Sequence, residues 1–311
     1  MSRYLITGSA GFLGSHLAEA VLEAGDEVVA VDAFTDYYAR ELKETNLRRI
    51  RARPGFALLE LDLADADLTA LVADVDGVFH LAAQPGVRGS WGDTFAVYVR
   101  DNILATQRLL GAAAQARVPV VQASSSSVYG NAEAYPTSED APLHPVSPYG
   151  VSKLACESLA RAYSESFGLR VVSLRYFTVY GPRQRPDMAF SRIVSSLLNG
   201  RPFQLFGTGE QSRDFTYVGD AVAATLGAMN GAIAPGVYNV GGGAETTLAD
   251  VIATCERLSG KSLDVRRGAA TAGDVRRTAA DTRRIRSELG WSPQTDLDQG
   301  LEAQLAAAAG D

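Results

Sequence analysis

Short apolar runs alternate with amphipathic stretches through the first half of the chain, regularly enough to name the elements. Residues 3–7 have the length and composition of a buried strand, and 12–24 carry Leu13, Leu17, Val21 and Leu22 at the spacing of one helix face. A second apolar run, 27–31, ends in Asp32. The rhythm repeats, with strands expected at 56–61, 77–81, 118–124 and 170–175 and helices at 66–73, 94–116 and 149–167. Strands alternating with helices predict an α/β fold: a parallel sheet covered on both faces, doubly wound by the right-handed crossover rule. After about residue 176 the rhythm breaks. Proline, glycine and arginine cluster at 181–186, a helix is expected at 188–199, and glycine recurs in Phe206-Gly207-Thr208-Gly209. The shift predicts a doubly wound domain over 1–175 and a smaller, interleaved α/β substrate-binding region over 176–311. Residues 214–228 and 237–240 read as returns to the main sheet, so about 214–240 rejoins the first part.

Composition narrows the function classes. At 311 residues, with 46% hydrophobic and 21% charged, the chain can bury a full core, and no apolar run has the length of a membrane span. A net charge of −7 argues against a nucleic-acid surface, so basic residues are better read as local anion clamps. Met1-Ser2-Arg3 leads directly into the first strand, leaving no room for a signal peptide. Cys156 and Cys255 lack metal-ligand spacing and fit structural thiols in a reducing, cytoplasmic compartment. With only His16, His80 and His144 present, no metal site is expected.

Thr7-Gly8-Ser9-Ala10-Gly11-Phe12-Leu13-Gly14 follows a strand and opens a helix, the context a dinucleotide fingerprint requires. Glycines permit the tight turn and the close approach of backbone to a pyrophosphate, which the helix N-terminus attracts. This marks the first domain as Rossmann-type. Asp32, at the end of the second strand, can accept from ribose hydroxyls and repels a 2′-phosphate, favouring NAD over NADP. Asp62 and Leu63 follow the third strand, where the alternative to an adenine contact is a solvated carboxylate. Leu81-Ala82-Ala83 are small enough for a cofactor to lie against their backbone.

Tyr149 and Lys153 are one helical turn apart and share a face. A phenol titrates near 10, too high for a base at neutral pH; a nearby ammonium and a cationic nicotinamide favour its ionised form. Ser125, in the run Ser124-Ser125-Ser126-Ser127 at a strand end, can share the proton path.

The TGxxGxxG loop, the serine run closed by Val128-Tyr129-Gly130, and Ser147-Pro148-Tyr149-Gly150-Val151-Ser152-Lys153 together resemble the extended short-chain dehydrogenase/reductase family of nucleotide-sugar enzymes. The likeness implies a doubly wound fold, NAD as cofactor, a UDP-sugar substrate and a homodimer paired through helices near 94–116 and 149–167. It makes Tyr149 the base, Lys153 its partner and ribose ligand, and Ser125 the hydroxyl assistant. Phe12, Leu13, Phe34 and Gln84 complete the expected NAD site, and Tyr176 would sit beside the nicotinamide. Arg213 and Asp274 resemble diphosphate and ribose contacts, and Gln204-Leu205-Phe206 the segment holding the uracil.

The departures decide the branch. Family dehydratases carry an Asp-Glu pair directly before Val-Tyr-Gly, where this chain has Ser126 and Ser127; decarboxylating relatives keep a glutamate where Ser127 stands. Residues 80–88 (ending in Arg88), Asp36-Tyr37-Tyr38 and 175–188 resemble specifically the UDP-glucuronate 4-epimerases. That likeness implies a carboxylate-binding set of Ser126, Ser127, Thr178 and Arg185. The alternative is that Arg183 and Arg185 are solvated loop charges, and a UDP-glucose/galactose 4-epimerase or a UDP-glucuronate decarboxylase remains the rival activity. A non-catalytic NAD sensor would not need both Tyr149 and Lys153.

Overall fold

The computed structural model describes residues 1–229, 233–269 and 275–310. Twelve strands are found there: β1 Arg3–Thr7, β2 Glu27–Asp32, β3 Phe56–Glu60, β4 Gly77–His80, β5 Val120–Ser125, β6 Val171–Tyr176, β7 Thr178–Tyr180, β8 Phe203–Phe206, β9 Ser212–Tyr217, β10 Gly236–Val240, β11 Glu245–Thr247 and β12 Val265–Gly268. Seven form one sheet in the order β10-β6-β5-β4-β1-β2-β3, every pairing parallel. This is the Rossmann-like α/β architecture expected from the alternation.

The apolar runs are continuous because both faces of the sheet are covered. Ile6, Val28 and Ala30 pack with Leu17 and Val21 of the helix Phe12–Glu23 and with Ala221 and Val222 of Val218–Met229. Their neighbours Leu5, Val29 and Val31 face the other way, toward Leu109 and Leu110 of Ala105–Ala116 and Ala160 of Pro148–Phe167. A separate core, including Tyr180, Phe190, Ile193, Phe203 and Val251, supports the smaller sheets β11-β9-β7 and β12-β8.

Two expectations change. Of the stretch read as returning to the main sheet, Gly236–Val240 pairs with β6, whereas Ser212–Tyr217 belongs to the three-stranded sheet. Residues 218–229 are a helix lying on the main sheet, not a strand within it. The single helix expected over 94–116 is interrupted by a π-helical segment, Val99–Leu104. Asn102 lies in that segment, and its side chain accepts from Gln84 N–H at 2.7 Å and donates to Gln84 O and Ser152 Oγ. Irregular turns of this kind concentrate at functional sites.

A buried hydrogen-bond chain ties β1 to β4. Thr7 Oγ1 accepts from the N–H groups of Leu81 and Ala82, so its own proton goes to His80 Nδ1 at 2.8 Å. Nε2 then carries the imidazole proton and donates to Thr106 Oγ1 at 2.9 Å. Burial, with a lesser push from Lys153, holds His80 neutral and lowers its pKa to about 3. The unfolded chain protonates this ring near 6.5, so between there and about 3 the unfolded state binds the extra proton. His80 should therefore cost about 1.4 kcal/mol of stability for each unit the pH falls through that window. Urea midpoints at about pH 7 and about pH 5 test this, with His80→Gln expected to show the shallower loss. Equal slopes would clear His80 of the effect.

Candidate active site

β1 and β4 are neighbours, but the chain leaves them for opposite sides of the sheet, so a crevice opens between the loops that follow. It is a cleft of about 700 Å³. Gly8, Gly11, Phe12, Leu13 and Gly14 line it from one loop and Leu81, Ala82, Ala83 and Gln84 from the other. Backbone crowding explains the glycines: a Cβ on Gly14 would lie 2.1 Å from the Gly8 carbonyl, and one on Gly8 2.8 Å from Ala82 N. The helix Phe12–Glu23 has no side-chain cap, which leaves its first N–H groups to a ligand.

Asp32 also lines the cleft, holding the loop in shape by accepting from Ala10 N at 3.0 Å and Phe34 N at 2.8 Å. Phe34 itself does not line the cleft; its φ is +48° and its ring packs in the core under the Arg40 guanidinium. Asp62 and Leu63 line the cleft, yet the Asp62 carboxylate is engaged by Arg100 at 2.7 Å.

Ser125 ends β5, where its Oγ donates to Ser127 Oγ at 3.1 Å and accepts from Ser127 N. Pro148–Phe167 begins beside it, with Pro148 in its first turn and Ser147 accepting from Gly150 N–H. A Cβ on Gly150 would come within 2.6 Å of Ser127 O, so glycine there lets the helix abut the serine turn. Tyr149 and Lys153 consequently face the same cleft as Ser125, Ser126 and Ser127. Lys153 is buried and donates from Nζ to Ala123 O at 2.9 Å. Tyr149 meets Tyr98 edge-on at 6.3 Å, and its hydroxyl makes no hydrogen bond among the described residues. Behind them a buried Glu157–Arg175 pair at 2.7 Å, with Ser124 donating to Glu157, joins the helix to β5 and β6.

Tyr176 lines the cleft, but its hydroxyl points away from it. Thr225 Oγ1 gives its proton to Ala221 O, so the Tyr176 hydroxyl donates to Thr225, and burial raises its pKa.

The opposite wall carries Thr178, Arg88, Gln204, Phe206 and Arg213. The Arg88 guanidinium lies 4.6 Å from the Phe206 ring centre. Neither arginine of the 181–186 cluster is a solvated charge. Arg183 donates from Nη2 to both Glu19 carboxylate oxygens at 2.7 and 2.8 Å and, with His16 against Pro182 O, fastens this loop to the glycine-loop helix. Arg185 binds Asp187 through Nε and Nη2, both at 3.0 Å. Burial opposes its charge, and Asp187 outweighs that and raises its pKa. Asp274 lies outside the described residues.

Asp187, Arg192, Lys43 and the paired Tyr37 and Tyr38 also line the cleft and were not singled out as site residues. Arg192 sits within a helix of otherwise ordinary amphipathic pattern, its guanidinium over Phe203 and Phe206 at 5.3 and 5.7 Å. Burial raises both Tyr37 and Tyr38 to about 12, so these phenols stay protonated.

The sequence profile of the NAD dependent epimerase/dehydratase family matches residues 4–241. The chain belongs to this family. An uncharacterized UDP-glucose epimerase of Bacillus subtilis (strain 168) is 41% identical over 98% of this chain and 97% of its own length. A UDP-glucuronate 4-epimerase of Thermodesulfobacterium geofontis (strain OPF15) is 34% identical over 97% and 94%. The crystal structure of UDP-glucuronic acid 4-epimerase from Bacillus cereus, in complex with UDP-glucuronic acid and NAD, superposes with a TM-score of 0.96 at 40% identity, covering 99% of both chains.

Membership in the epimerase/dehydratase family makes NAD the cofactor, and the cleft fits it. Glycines whose Cβ would strike backbone leave a cradle open to a pyrophosphate, and the uncapped helix end beside them favours its charge. Asp32 on the adjoining strand end would offer a carboxylate to the ribose.

Proposed function

We propose that the protein is a UDP-glucuronate 4-epimerase, interconverting UDP-glucuronate and UDP-galacturonate through a transient 4-keto sugar. The observation that carries this reading is one cleft holding Tyr149, Lys153 and the glycine cradle on one side, with Ser126, Ser127, Thr178 and Arg185 available to a carboxylate.

Tyr149 takes the O4 proton; Lys153, one turn further along the same helix, would hold the nicotinamide ribose; Ser125 donates to the same oxygen. NAD, when bound, accepts the C4 hydride and returns it. The uridine diphosphate stays anchored by Arg88, Arg213, Gln204 and Phe206 while the 4-keto sugar turns over, so Tyr149 then serves the opposite face. A 4-keto uronic acid is a β-keto acid, and it loses CO₂ when the carboxylate bond stands perpendicular to the ketone plane. Thr178 and Arg185 hold the carboxylate away from that geometry.

Residues 1–175 hold chiefly the cofactor and 176–311 chiefly the nucleotide sugar, with Arg88, Ser126 and Ser127 reaching the sugar from the first part and Gly236–Val240 returning to the main sheet. Val97, Leu104 and Val151 are exposed apolar residues at or beside the 94–116 and 149–167 helices, which favours a homodimer through that face. Two buried, unbridged cysteines suit a reducing cytoplasm.

Product analysis with UDP-glucuronate and UDP-glucose side by side tests the assignment, with UDP-galacturonate expected as the main product. Epimerised UDP-glucose in excess would favour the neutral-sugar rival, and released CO₂ with UDP-pentose the decarboxylase. The protein should also purify with NAD, since a cofactor regenerated each cycle need not leave. Denaturation and assay of the released dinucleotide check this; NADP alone would overturn the role of Asp32.

A further inference from the structure

Arg185 is not presented to the cleft as a bare cation. Asp187 takes Nε and Nη2, two of its nitrogens, at 3.0 Å each, and Asp187 Oδ2 accepts from the Tyr37 hydroxyl at 3.2 Å. Tyr37 comes from the loop after β2, 150 positions away in sequence, so the carboxylate is held from both walls of the cleft. Gly86, with φ of +97°, makes room for it, because a Cβ there would stand 2.7 Å from the Tyr37 hydroxyl.

Stability is not the whole account of this arrangement. Arg185 is 20% exposed and gains a counter-charge, but Asp187 is 40% exposed, and a pair open to water on that side contributes modestly. Nη1 has no acceptor among the described residues, so the end-on edge of the guanidinium remains for a ligand.

We infer that Asp187 is a positioning residue that turns the end-on edge of Arg185 to the substrate carboxylate and weakens that grip enough for the sugar to let go. The inference rests on the reading of Arg185 as a carboxylate ligand. An epimerase of this kind must release the carboxylate once per turnover, when the 4-keto sugar turns, and re-engage it afterwards. A free guanidinium would offer a full charge and either fork to the substrate, a bidentate pair of the strong kind. Such binding, equal before and after the chemical step, lowers KM without raising kcat and delays the turn between the two hydride transfers. Asp187 makes the clamp nearly neutral and gives the substrate a competitor for its donors.

The test is Asp187→Asn, which keeps the shape and removes the charge, with Asp187→Ala as the second variant. Calorimetry in a Tyr149→Phe background, where turnover does not interfere, should show UDP-glucuronate binding tighter by roughly tenfold, the scale of one charge-assisted hydrogen bond. UDP-glucose affinity should not move. With Tyr149 intact, kcat and KM for UDP-glucuronate should both fall. A brace that was only structural would weaken binding or leave it unchanged, and that result in both variants would overturn the inference. Arg185→Ala, measured alongside, separates the two claims: if it leaves UDP-glucuronate affinity unaltered, the carboxylate reading has failed; if it weakens affinity while the Asp187 variants do not tighten it, only the tempering role has failed.

Discussion

Tyr149→Phe is expected to keep cofactor and substrate binding and to lose turnover by at least roughly 10²–10⁴, the usual worth of a positioned general base. The local geometry argues for so clean a separation. The Tyr149 hydroxyl makes no hydrogen bond within the described residues, so removing it leaves no buried partner unsatisfied. The ring, which packs edge-on against Tyr98, is retained in phenylalanine. Lys153 does not stand in as base, because its ammonium, which donates to Ala123 O at 2.9 Å, has no lone pair with which to take a proton. Initial rates by nucleotide-sugar chromatography, with calorimetric affinity for UDP-glucuronate, check both halves. Near-normal turnover would remove Tyr149 from its role.

Legibility from sequence followed the range of the interactions. Inner strands of the main sheet were readable because burial on both faces makes them short apolar runs, and the glycine spacing was readable because Gly8 and Gly14 crowd each other within one turn of chain. Strands β7, β9 and β11 have no such run; TVY, SRDFTY and ETT owe their state to partners elsewhere in the chain. The π-helical interruption at Val99–Leu104 was hidden for the same reason, since Asn102 finds its partners at Gln84 and Ser152. Phe34 shows the converse error. It stands two places after Asp32, but the left-handed turn sends its ring into the core and leaves Ala33 and Thr35 to line the cleft. Arg185 was legible as a charge in a suggestive segment, whereas its engagement by Asp187 and the brace from Tyr37 required the fold.

That engagement sharpens what Arg185→Ala should do. Truncation removes a donor to the substrate carboxylate and also leaves Asp187 without its partner, facing the same part of the cleft. Loss of one charge-assisted contact costs on the order of 1.5–3 kcal/mol, roughly ten- to a hundredfold in rate, and like-charge repulsion adds to it. Activity on UDP-glucuronate should therefore fall by at least that factor, with little change in residual activity on UDP-glucose, which carries no carboxylate to repel. Arg185→Ala with Asp187→Ala should recover part of the loss, because the repulsion is gone although the grip is not. UDP-pentose should appear in the single variant, since a carboxylate pushed from its contacts can swing perpendicular to the ketone plane and leave as CO₂. Chromatography of the nucleotide sugars from both substrates reads every arm. Equal losses on acid and neutral sugar, with no pentose and no recovery in the double variant, would make Arg185 a structural residue and leave the acid preference to Thr178 and the serines.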